Sequence, residues 1–132
     1  MKEVQKMSHW YEYNANPYSN RVGDCVVRAI STLMKRPWGE TYLDLCLEGY
    51  AMADLPSANH VWGSFLRKKG FKRFAVEDEC NCYTVEDFCK DHPTGRYMLA
   101  LDSHVVCVID GLFYDTWNSK DMVVVYFWRK DE

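Results

Sequence analysis

The segment "HVVCVIDGLFYDTW", residues 104 to 117, constrains the fold more than any other part of this chain. Two apolar runs flank Asp110-Gly111, a dipeptide that readily supplies both left-handed residues of a two-residue hairpin turn. Such a turn fixes the register: Ile109 faces Leu112, Val108 faces Phe113, Val106 faces Asp115 and His104 faces Trp117. Side chains alternate along each strand, so His104, Val106, Phe113, Asp115 and Trp117 share one face. Asp115 then lies diagonal to His104, within hydrogen-bonding reach, with Trp117 placed to exclude water. A carboxylate there orients the imidazole and stabilises its protonated form, which suits a general base paired with a thiol. The plainer reading is a His and an Asp on a half-wet sheet.

The rest of the second half is also strand-like. "RYMLALD" precedes the hairpin, "MVVVYFWRK" follows it, and "FKRFAVE" forms a short strand earlier. The terminal "FWRKDE" reads as a strand edge with a solvated charged tail. "TVEDFCKDH" is a short helix capped by Thr84, with acidic residues in its first turn. The first half has helical spacing. Asp24 is placed to cap "CVVRAISTLMKR", which presents Val26, Val27, Ile30, Leu33 and Met34 on one face, and Pro37 stops it. "WGETYLDLCLEGYAM" follows with Tyr42, Leu45, Cys46 and Tyr50 at helical intervals. "SANHVWGSFLRKKG" is a third helix, closed by Gly70. Tyr42, Trp62, Phe65, Phe71 and Phe74 read as core. The layout is α+β in one domain over 1–132: an irregular lead-in over 1–23, a helical part over 24–70 and a mainly β part over 71–132.

Composition narrows the function. With 132 residues, 48% of them hydrophobic and 15% aromatic, the chain can bury one sizeable core. Its 16 basic and 19 acidic residues are spread along the sequence, which argues against nucleic acid or an anionic membrane as partner. No signal-type h-region and no spanning apolar run is seen, so a cytoplasmic location is expected, with the six cysteines as free thiols. Oligomeric state is not legible.

Cys25 differs from the other cysteines. It follows "GD" at the first turn of a helix, where the helix dipole and a nearby imidazolium lower a thiol pKa from about 8.5 towards neutrality. That is where a cysteine nucleophile belongs; the plainer alternative is a small buried hydrophobe. Cys46 and Cys107 lie inside apolar runs and read as core.

Together, "GDCVVRAIS" at 23 to 31 and "HVVCVIDGLFYDTWNS" at 104 to 119 resemble the papain-like cysteine protease superfamily, reduced to a minimal domain. The "DTW" at 115 to 117 is similar to the Asn-Ser-Trp of papain-type enzymes, whose tryptophan shields the third triad member. The chain also resembles small bacterial and bacteriophage proteins sharing the GDC-x-x-R-A-I start and the H-V-V…DG…YD-T-W end. The resemblance implies N-terminal helices packed on a C-terminal antiparallel sheet. It implies Cys25 as nucleophile, His104 as general base and then acid, Asp115 as its orienting partner, no cofactor, and a peptide or protein substrate. Papain-type enzymes carry a glutamine six residues before the cysteine to help hold the oxyanion. Ser19 occupies that position here, so Asn20 and Asn16 become the candidate side-chain donors beside the backbone N–H of Cys25. Peptidase is the first expectation, with isopeptidase, amidase and acyl transfer on the same triad. The rival is a catalytically idle accessory module of the same fold.

A second constellation is independent of that resemblance. Cys80, Cys82, Cys89 and His92 in "CNCYTVEDFCKDH" have the composition of a Cys₃His zinc site, but with one residue between the first two cysteines instead of two or more. The alternative is a helix that buries Phe88 and Cys89. His60 reads as a partly exposed helical histidine, and His9 carries no signal.

Overall fold

The computed structural model describes residues 8–77 and 80–130. In chain order the elements are β1 (Trp10–Glu12), α1 (Cys25–Met34), α2 (Trp38–Met52), α3 (Asn59–Lys68), β2 (Phe71–Ala75), α4 (Val85–Asp91), β3 (Arg96–Leu101), β4 (His104–Ile109), β5 (Leu112–Asp115) and β6 (Val124–Lys130). The strands form one sheet in the order β1-β5-β4-β3-β6-β2, antiparallel except for the β1–β5 pair. The mixed α+β layout agrees with the sequence. Among the described residues no helix is long and apolar enough to cross a membrane.

The hairpin forms on the expected register, with Ile109 opposite Leu112, Val108 opposite Phe113 and Cys107 opposite Tyr114. Asp110 and Gly111 both take positive φ, at 50° and 79°, the two left-handed residues the turn requires. The ladder stops at Tyr114, so the expected pairs Val106–Asp115 and His104–Trp117 are not part of it. Alternation along β4 divides the core. Val105 and Cys107 pack with Val26, Val27, Ile30, Leu33, Trp62 and Trp128 under the first three helices. Val106 and Val108 pack with Val85, Phe88, Leu99 and Phe113 on the opposite face, which α4 covers. The sheet is therefore buried on both sides.

Four expectations are corrected. The lead-in is not wholly irregular, because β1 lies parallel to β5 with Trp10, Tyr11 and Glu12 opposite Phe113, Tyr114 and Asp115. The C-terminal strand β6 is interior, between β3 and β2; Asp131 and Glu132, the expected charged tail, lie outside the described residues. On α2 the buried residues are Thr41, Leu45 and Gly49, while Tyr42 and Tyr50 are exposed. Gly49 fixes that rotation, since a Cβ there would sit 2.6 Å from the carbonyl oxygen of Asp54. Finally, Cys80 and Cys82 form a disulfide, leaving Cys25, Cys46, Cys89 and Cys107 free.

Candidate active site

The amino end of α1 meets the open end of the β4–β5 hairpin. Cys25 is the first residue of α1, His104 the first of β4 and Asp115 the last of β5. His104 Nε2 lies 2.7 Å from Asp115 Oδ2. The Cys25 thiol is hydrogen-bonded to His104 and to the backbone N–H of Val105. With Nε2 engaged by Asp115, Nδ1 is the ring nitrogen left to face the sulfur. All three predicted residues are thus brought together in one hydrogen-bonded chain.

Asp115 is 1% exposed and fully engaged. Oδ2 also accepts from Ser119 Oγ at 2.7 Å, and Oδ1 accepts from the backbone N–H of Thr116 at 2.8 Å and from Arg28 Nη1 at 3.3 Å. Its carbonyl oxygen accepts from Trp10 Nε1 and from the N–H of Tyr13, so β1 pins the end of β5. Trp117 lies against the imidazole, ring centroids 5.1 Å apart, but is itself 44% exposed. It covers one side of His104 and does not seal the site.

The charges support one another. Burial opposes ionisation of Cys25, but hydrogen bonds from His104 and Val105, with the charges of His104 and Arg28, prevail and hold the thiol below its ordinary value. Burial likewise opposes protonation of His104, yet its bonds to Asp115 and Cys25 raise it to about 9. Asp115 is lowered despite burial, chiefly by its bonds from His104 and Ser119. The imidazole is thus held towards its protonated form between two groups whose ionisation it favours. Elsewhere burial pushes the Cys89 thiol up to about 12 and raises Cys107 too.

Cys25, His104 and Trp117 line a cleft of about 340 Å³, together with Arg21, Val22, Gly23 and Arg28. A larger cavity of about 830 Å³ lies near the other end of the hairpin, by Asp110, Met34 and Lys130, and none of the triad candidates lines it. None of the oxyanion candidates Asn16, Ser19 and Asn20 is among the residues that line this cleft. Asn16 is buried; its Nδ2 donates to Asp24 Oδ2 at 3.2 Å, and its Oδ1 accepts from the N–H groups of Tyr18 and Asn20. Ser19 is an exposed left-handed residue with φ 57°, and the Asn20 backbone is tied to Asn14 and Asn16.

Asp24 is at the N-cap position but its side chain makes no cap hydrogen bond. Its carboxylate accepts instead from Arg28 Nε at 2.8 Å, Trp38 Nε1 at 3.0 Å and Asn16. Arg28 and Ser119 were not among the sequence candidates. Arg28 did leave a signal, a lone cation in the otherwise apolar "CVVRAIS" one turn beyond Cys25.

The Cys₃His set does not assemble. Cys80 and Cys82 are bonded to each other, Cys89 is buried on the inner face of α4, and His92 stacks on Phe88 with its Nδ1 2.9 Å from the Phe88 carbonyl oxygen. Among the described residues no three His, Cys, Asp or Glu side chains converge to hold a metal. His60 is exposed and pairs with Asp54, and His9 pairs with Glu86. Compared with known proteins, the chain matches no family model, no curated protein and no solved structure.

Proposed function

We propose that this chain is a cysteine hydrolase of papain-like fold, acting on peptide or protein amides through Cys25, His104 and Asp115. The observation that carries the reading is the hydrogen-bonded chain from Cys25 through His104 to Asp115, at the start of a helix and open to a cleft.

The chemistry follows from the charge arrangement. The Cys25 thiolate attacks the substrate carbonyl carbon, forming a C–S bond while the carbonyl electron pair moves onto oxygen. Collapse of that intermediate breaks the C–N bond, and the His104 imidazolium gives its proton to the departing amine. The neutral imidazole then takes a proton from water, whose oxygen attacks the thioester and expels the thiolate. Asp115 keeps the ring oriented and stabilises its cation throughout. The backbone N–H of Cys25, on the uncapped first turn of α1, is one donor for the oxyanion.

Two measurements test this. Each cysteine is alkylated with iodoacetamide across pH 5 to 9 and followed by mass spectrometry. Cys25 is expected to react faster than Cys46, the half-buried free thiol of α2, with a midpoint below the ordinary thiol value of about 8.5. Equal rates with an ordinary midpoint sink the reading. The second measurement is acylation by p-nitrophenyl acetate, with an acetyl group expected on Cys25, released with time and absent in Cys25→Ser. The second reading, an idle accessory module of bacterial or phage type, draws on the absence of Asn16, Ser19 and Asn20 from the cleft lining. A reactive Cys25 that neither releases its acyl group nor cleaves a peptide would favour it.

A further inference from the structure

Arg28 touches both halves of the site without facing the cysteine as a hydrogen-bond partner. It stands one turn after Cys25, its side chain 12% exposed, with Nε on Asp24 at 2.8 Å and Nη1 on Asp115 at 3.3 Å. A mostly covered guanidinium that lines the cleft and lies between two buried carboxylates is costly to assemble unless its donors are well used. Most of α1 around it is apolar: Val26, Val27, Ala29 and Ile30 are all core. Helix–sheet packing alone would be served by an aliphatic residue and would not require Asp24 either.

We propose that Arg28 is a positioning residue for the thiol, a cationic strut from Asp24 to Asp115 that sets the charge balance of the site. The inference rests on the hydrolase reading and assigns a residue that the triad does not include. Counting formal charges makes the role concrete. With the thiolate and imidazolium formed, the cluster holds three anions (Asp24, Cys25 and Asp115) and two cations (Arg28 and His104), a net charge of −1. Without Arg28 it is −2, and the thiolate is the anion most easily given up by protonation. With Asp24 neutral it is 0, and the thiolate gains. The other charged group at the cleft is Arg21, which is exposed, donates to the Thr116 carbonyl oxygen and lies 3.8 Å from Glu12.

The two substitutions therefore act with opposite signs. Arg28→Gln is expected to raise the alkylation midpoint of Cys25 by about 0.3 pH unit, which is about twofold less thiolate below the midpoint. Asp24→Asn is expected to lower that midpoint. Arg28→Lys keeps the charge but loses the two-pronged contact; it is expected to restore the midpoint more fully than acyl-transfer rate, since geometry needs the fork. A purely structural Arg28 predicts lower melting temperatures in both Arg28→Gln and Asp24→Asn with the Cys25 midpoint unmoved. That result, or shifts of the same sign, overturns the proposal. Should Arg28→Gln fail to fold, Asp24→Asn decides alone: a midpoint at or above that of the unmodified protein overturns it. The two readings fail separately. An ordinary midpoint for Cys25 in the unmodified protein removes the hydrolase reading itself, whereas a low midpoint that the variants leave in place removes only the role of Arg28.

Discussion

Helices α1 and α4 begin in opposite ways. At α4, Thr84 Oγ1 accepts from the N–H of Asp87 at 3.2 Å while the Asp87 carboxylate accepts from the N–H of Thr84 at 3.1 Å, a closed capping box. At α1, Asp24 holds the cap position, but its carboxylate turns away to Arg28, Trp38 and Asn16. A cap satisfies the first-turn N–H groups and ends their usefulness to anything else. Leaving them uncapped keeps the positive end of α1 beside Cys25, where it favours a thiolate. The cysteine each helix carries follows suit: Cys25 sits at the open start and is held low, and Cys89 sits in the closed helix and is pushed up to about 12. Two sequence-level N-caps, an Asp and a Thr, thus serve different ends, and the partners of the capping side chain tell them apart.

The sharpest way to break the comparison is to unmake the open end. Asp115→Ala removes a buried carboxylate that accepts four hydrogen bonds and leaves Arg28 and His104 without it. Breaking a buried pair from one side typically costs about 3–5 kcal/mol. Urea unfolding is expected to show a loss of that order together with slower Cys25 alkylation at pH 7. A loss below about 1 kcal/mol would mean that the cluster is not the tie between α1 and the hairpin.

A smaller effect appears in the pH dependence of stability. The folded His104 titrates near 9 and the unfolded side chain near 6.5. Because the folded value is the higher one, its stabilisation is complete below about pH 6.5 and fades as pH rises through about 9. The melting temperature of the unmodified protein, minus that of His104→Gln, is expected to shrink steadily over that window. A difference that grows with pH would mean the imidazole is held neutral in the fold.

The hairpin was legible because its turn chemistry and alternation are local, but the ladder from that turn ends at Tyr114, so the contact of His104 with Asp115 lies beyond the pairs the turn fixed. Cys25 was legible for a similar reason, as a helix start is marked by the residues beside it. What the sequence hid depends on contacts remote along the chain. Strand β1 is three residues long and is defined by its pairing with β5, about a hundred positions later. The facing of α2 is hidden because Tyr42 and Tyr50 have core-like composition, while the close approach at its buried face is made by Gly49 against Asp54. Asn16 had the right chemistry for an oxyanion donor, but its amide is spent on Asp24. The disulfide is not legible because cysteine count and compartment argue for free thiols, and neither speaks to two cysteines separated by one residue.

The closed helix supplies the control, and with it the smallest expected effect. Thr84→Ala removes one half of the capping box of α4 and should cost about 1 kcal/mol of stability. Its consequences should stay local. Thr84 caps the helix that carries Val85, Phe88 and Cys89 into the core on the face opposite α1. None of the atoms that hold Cys25, His104 and Asp115 belongs to that helix. The alkylation midpoint of Cys25 should therefore be unchanged, while Cys89 becomes more reactive as α4 frays and its burial is intermittently relieved. If Thr84→Ala moved the Cys25 midpoint as far as Asp24→Asn does, the two helix starts would not be independent. The low ionisation of Cys25 would then belong to the stability of the whole domain, and the contrast between an open and a closed helix end would lose its meaning.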